Sequence, residues 1–124
     1  MSEAAVYTRL NAISDLQGRV YPLVLPQNVA YPAATYQRIS ATRYPQFGED
    51  ADAVEATIQV DVYKPRAEGY GTFNTLVQSV RGALQRARGS DVIDIFIDAE
   101  RDDYEDDTEL LRKTFDVRVW YRET

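Results

Sequence analysis

Val54-Glu-Ala-Thr-Ile-Gln-Val-Asp-Val-Tyr63 alternates apolar and polar residues without a break. Successive side chains of a strand point to opposite faces, so the pattern predicts a half-buried strand over 54–63. Val54, Ala56, Ile58, Val60 and Val62 would face a core, and Glu55, Thr57, Gln59 and Asp61 would face away from it. Downstream the period changes. Phe73, Leu76, Val77, Val80, Ala83, Leu84 and Ala87 recur at helical spacing, which predicts a helix over 72–88 with Thr72 as its cap and Gly89 as its stop. Arg81 and Arg88 lie towards its C-terminal end, where the helix dipole favours cations.

Residues 34–44 have strand composition, and the loop 45–53 separates them from the first strand, so the two predict a hairpin. Ile93, Ile95, Ile97 and Ala99 predict a strand over 91–100; Phe115, Val117, Val119 and Tyr121 predict another over 110–122. Near the N-terminus, Val6, Leu10 and Ile13 form one apolar stripe of a helix over 3–15, with Ser2 as cap, Glu3 in the first turn and Gly18 as stop. Between that helix and residue 34, Pro22, Pro26 and Pro32 exclude a helix and a central strand. Its apolar content predicts an ordered segment lying over the core. The order αββαββ gives an α+β fold: a four-stranded, mostly antiparallel sheet with two helices packed on one face. A single domain spans 1–124.

Two aromatics depart from the inward pattern. Phe96 alternates with Ile95 and Ile97, and Trp120 sits between Val119 and Tyr121. If the last two strands pair, both rings lie on the face away from the helices, where a partner would explain them.

Composition narrows the chemistry. The chain has 124 residues, 44% apolar and 27% charged, which is ordinary globular usage. No apolar run approaches the roughly 20 residues a membrane helix needs, and Met1-Ser-Glu-Ala-Ala5 lacks a signal-peptide pattern, so a soluble, unexported protein without a membrane partner is expected. There is no cysteine and no histidine, which excludes disulfides, thiol nucleophiles, imidazole acid–base chemistry and most zinc sites. The net charge of −6 opposes sequence-independent DNA binding. Residues 98–109 hold eight acids and one base, Arg101, so this run carries −7 and the remainder of the chain +1.

The acidic run falls at or near the turn joining the last two strands. A carboxylate-held hard cation is one reading, which would make the chain a metal-binding protein or a carboxylate-based enzyme. The run lacks the ligand spacing and central glycine of an EF-hand, and a solvated hairpin end accounts for it. Gly69-Tyr-Gly-Thr72 precedes a helix without a phosphate-loop lysine, and reads as a turn and cap. The nine tyrosines suit either a stacking platform for single-stranded nucleic acid or protein interfaces; the absence of a basic stripe favours interfaces. No cofactor, metal or catalytic residue is assigned.

Taken together, three stretches resemble a family of tail-component proteins of long-tailed phages, the tail terminator or tail completion proteins, which also occur in prophages and gene-transfer agents. The first runs from Arg19-Val-Tyr-Pro22 through Pro26-Gln27 to Tyr31-Pro-Ala-Ala-Thr-Tyr36. The second is Ile58-Gln-Val-Asp-Val-Tyr63 with the helix to Ala83-Leu84, and the third is Phe115-Asp-Val-Arg-Val-Trp-Tyr121. With the opening helix they cover nearly the whole chain. The resemblance implies a non-enzymatic virion assembly protein. Such proteins form a hexameric ring on the head-proximal end of the tail tube, stop tube polymerisation and present a head-joining surface. The implied partners are further copies of the chain, the tail tube protein and a head-completion or connector protein, with DNA passing through the lumen without specific binding. The implied location is the head–tail junction of the virion, with host cytoplasm during assembly. A head-completion or neck adaptor protein is the alternative.

A ring needs heterologous interfaces, one patch meeting a different patch. Phe96, Trp120, Tyr21 and Tyr31 are the candidates. Glu49, Asp50, Asp52, Asp102, Asp103, Glu105, Asp106 and Asp107 are candidates to face the lumen, where they would repel DNA phosphates; six copies would carry −36 in all.

Overall fold

The computed structural model describes residues 2–44, 53–86, 89 and 92–122. In chain order it contains α1 (Ser2–Asn11), a 3₁₀ turn (Ser14–Leu16), β1 (Val20–Pro22), β2 (Ala33–Tyr44), β3 (Ala53–Pro65), a second 3₁₀ turn (Arg66–Glu68), α2 (Tyr70–Leu84), β4 (Asp94–Glu105) and β5 (Leu110–Arg122). The strands form one sheet in the order β1-β2-β3-β5-β4. The fold is α+β, but the sheet has five strands where four were expected, and it is mixed. Val20–Pro22 runs parallel to Ala34–Tyr36, whereas every other pair is antiparallel. Pro22 is tolerated because β1 is an edge strand, whose outer side needs no ladder donor. Three residues of the Pro-containing segment, Val20–Pro22, thus extend the sheet at its edge, which the expectation of a segment lying over the core did not include. Leu23 turns with φ 65, and Leu23 and Val24 are then largely exposed. The Arg19 guanidinium holds the far end by donating to the Pro32 carbonyl at 2.8 Å, next to the cis Tyr31–Pro32 bond.

The alternation in β3 is realised as expected. Val54, Ala56, Ile58, Val60 and Val62 are fully buried, together with Phe115, Val117 and Val119 of β5. Both helices cover this face, through Val6 and Leu10 of α1 and Phe73, Leu76, Val77, Val80 and Leu84 of α2. α1 is shorter than the expected 3–15. It stops at Asn11, a 3₁₀ turn carries buried Leu16, and Gln17 and Gly18 take left-handed conformations. The side chain of Ser2, its expected cap, lies outside the described residues.

α2 starts two residues before and ends four residues before the span expected from periodicity. Gly69, at φ 94, occupies the cap position. Thr72 is not the cap. Its hydroxyl donates back to the carbonyls of Glu68 and Gly69, at 2.7 and 3.0 Å, instead of accepting a first-turn N–H. At the other end Gln85 is extended and Arg86 left-handed, so the helix stops before Gly89; Ala87 and Arg88 lie outside the described residues.

β4 departs most from expectation. It runs to Glu105, through most of the acidic run, and only 106–109 form the turn. A bulge between Ile97 and Ala99 flips the alternation, because an extra residue in a strand reverses which face the next ones occupy. Ala99 is therefore opposite Asp116 on the helix-free face, not beside Ile95 and Ile97, and Ile93 lies 46% exposed on the bend before the strand. No helix among the described residues is long and apolar enough to cross a membrane.

Candidate assembly surfaces

The helix-free face is built from the polar positions of the same strands. Asp61 is 8% exposed on this face, and its two carboxylate oxygens explain how: one accepts from the Thr114 hydroxyl, the other from Gln59 Nε2 at 3.0 Å. Towards one edge the face becomes a ladder of ion pairs. Arg101 pairs with Asp116 through two hydrogen bonds of 2.7 and 3.2 Å. Arg118 lies between Glu55, at 3.5 Å, and Asp98, at 3.4 Å. Long polar side chains thus cover the strands, and no helix or strand among the described residues packs over them.

Phe96 and Trp120 both lie on this face, Phe96 opposite Arg118 and Trp120 opposite Asp94 and Glu55. Each is half-buried. Trp120 stacks on Tyr44 of β2, with ring centroids 5.4 Å apart and planes at 27°. Tyr44 is 41% exposed, and its strand alternates too imperfectly for sequence reasoning to have selected it. Tyr21 is half-buried in β1, and Tyr31 half-buried before Pro32. These four candidates form no single patch: Phe96 and Trp120 belong together, whereas Tyr21 and Tyr31 sit by the opposite edge.

The acids of β4 are not a free negative surface. They alternate between the two faces, and each finds a cation on a neighbouring element. Arg81 of α2 grips Glu100 through bonds of 2.7 and 3.0 Å, and Lys113 approaches Glu100 at 3.3 Å and Asp102 at 2.9 Å. Arg112 holds Asp103 at 2.6 Å and Glu105 at 3.3 Å. The Arg81 guanidinium holds the Glu100 carboxyl below the usual carboxylate range, aided by Lys113. The Tyr104 backbone N–H, with Arg112, does the same for Asp103. These are structural ion pairs, and the described residues contain no group of three or more acids arranged to hold a metal ion. Asp106 and Asp107 remain exposed in the turn. Glu49, Asp50 and Asp52 lie outside the described residues.

The family model described as tail completion protein gp17 matches residues 4–122. The chain belongs to that family. A solved chain from the virion of a native gene transfer agent (GTA) particle shares the fold, with a TM-score of 0.72 and 18% sequence identity, covering 98% of this chain and 94% of that one. No curated protein sequence matches. The family assigns a structural role in a phage-type tail.

For a tail completion protein, the two ends of the strands are the features to note. Trp120, Tyr44 and Ile93 gather where β2 and β5 end and β4 begins; the acidic turn 106–109 lies where β4 ends. Ten residues of β5 separate them, about 33 Å of extended chain. Among the described residues, one end of the sheet is thus aromatic and the other acidic. The cleft of about 390 Å³ beside β1 has a single acid, Glu3, which is 3.7 Å from Arg38.

Proposed function

We propose that this chain caps the head-proximal end of a tail tube as a hexameric ring, halting tube growth and offering the surface that the head joins. The family match over residues 4–122 carries this reading. The likeness to a chain from a gene transfer agent virion supports a place in the particle, and the two unlike ends of the subunit suit a ring meeting different partners above and below. In this reading the aromatic end, with Phe96 and Trp120, docks on the tube, and the acidic end points towards the head. The role is one of assembly, without catalysis. Gold-labelled chain added to purified tubes is expected to mark one end of each tube only. Label along the tube wall, or on heads alone, contradicts the proposal.

The acids retained as lumen or rim candidates are those without a described cation partner, Asp106 and Asp107. Asp102, Asp103 and Glu105 are already paired, so neutralising them would bare Lys113 and Arg112 instead. Asp106→Asn with Asp107→Asn is therefore expected to slow DNA ejection severalfold by weakening phosphate repulsion, with particle yield unchanged. Ejection kinetics followed by dye accessibility test this, and an unchanged rate removes these residues from the DNA path.

A further inference from the structure

β4 is the last strand on its side of the sheet. The stretch that leads into it and forms its first half, Val92-Ile-Asp-Ile-Phe-Ile97, has five large apolar residues, one charge and neither proline nor glycine. A segment of that composition at an edge is a template for the same segment of another molecule. We infer that the turn ending α2 guards this edge, occupying its backbone and keeping it from pairing with residues 92–97 of a second copy. The guard is independent of the capping role.

The contacts that form it come from the last turn of α2 and the two residues after it. Gln85 is extended and Arg86 left-handed, at φ 57. That conformation favours glycine, and an arginine keeps it where its surroundings hold it there. Gly89, where the apolar period predicts the stop, lies three residues further on. The early exit from the helix puts both side chains on β4. Gln85 Oε1 accepts from the Ile97 backbone N–H at 2.7 Å, and Arg86 pairs with Asp94 at 2.8 Å. Asp94 in turn accepts from the Ile95 backbone N–H at 2.9 Å. Two backbone donors of the apolar stretch are thus bonded to side chains and are closed to an incoming strand. Directly after them the bulge between Ile97 and Ala99 bends the edge, a further obstacle to pairing. Arg81 fixes the strand beyond the bulge through its two bonds to Glu100.

The guard is placed where the sequence leaves the edge unprotected. From Ala99 to Glu105 the strand carries Glu100, Arg101, Asp102, Asp103 and Glu105, and charge on an edge is itself a deterrent to a second strand. The Tyr104 backbone N–H there is taken by Asp103, at 2.8 Å. Helix capping does not account for the side chain of Gln85. Its own N–H closes the helix on the Arg81 carbonyl at 2.8 Å, which leaves the amide oxygen for β4.

Gln85→Ala removes the acceptor. Amide exchange followed by NMR is expected to quicken about fivefold at Ile97, the ratio that one net hydrogen bond is worth, with Val60 and Phe115 unchanged. In sedimentation over a concentration series this variant is expected to form thioflavin-binding assemblies larger than any species of the native chain. Gln85→Glu, which keeps an acceptor oxygen, is expected to behave as the native chain does, and Arg86→Ala, which releases Asp94 alone, to fall between. Faster exchange at Ile97 without larger assemblies overturns the guard, and so does unchanged exchange at Ile97. Should Val60 and Phe115 also quicken in Gln85→Ala, the other two variants decide: assemblies with Arg86→Ala and none with Gln85→Glu uphold the guard, and any other pair of results overturns it.

Discussion

Phe115→Ala is expected to destabilise the subunit by about 3–5 kcal/mol, the usual cost of emptying a large buried aromatic site. Phe115 is fully buried and stands opposite Val60 in the centre of the sheet. The loss is a large fraction of the roughly 5–15 kcal/mol that holds a domain together. It is expected to lower the melting temperature by about 10–25 °C. Thermal unfolding followed by circular dichroism checks it. A drop of only a few degrees would mean that the core does not lie between this face and the helices.

Five residues along the same strand, Trp120→Ala is expected to do the reverse. Trp120 lies on the helix-free face, half-buried, with its ring against Tyr44. Losing that stacking and part of its buried area costs the monomer about 1–2 kcal/mol. A central aromatic anchor at an interface, in contrast, contributes about 2 kcal/mol or more per contact, at least about thirtyfold in affinity, and each ring repeats the contact in every copy. The variant should fold with a melting temperature within several degrees of the native chain and yet fail to retain tubes in a co-sedimentation assay. Native tube retention assigns Trp120 to structure only. A collapse of monomer stability like that of Phe115→Ala would place it in the core.

The contrast between Phe115 and Trp120 was legible because period-two alternation is a local property of the chain. The same holds for Val54–Val62 and for β5, whose expected span of 110–122 matches the strand. β1 was not legible. Three residues containing a proline carry no periodic signal, and only pairing with Ala34–Tyr36 makes them a strand. The bulge at Ile97–Ala99 was equally hidden, because alternation continues on paper through Ala99 while the chain reverses it. The acidic run misled for another reason. Its density suggested a turn, although the signal for a hairpin was present: Asp102 and Asp103 mirror Lys113 and Arg112 about the turn, the pattern that cross-strand ion pairing requires. Of the candidate site, Phe96 and Trp120 were placed on the correct face. Tyr44 and the arginines that neutralise β4 emerged only from the three-dimensional register.

These elements describe a subunit whose helix-covered face stabilises it and whose other face carries Phe96 and Trp120 among ion pairs. The most direct test is the length of tails assembled with and without the chain, measured by electron microscopy. Overlong, variable tubes that do not join heads are expected when it is absent. Tubes of normal length that merely fail to join heads would contradict a capping role and move the protein to the head side of the joint.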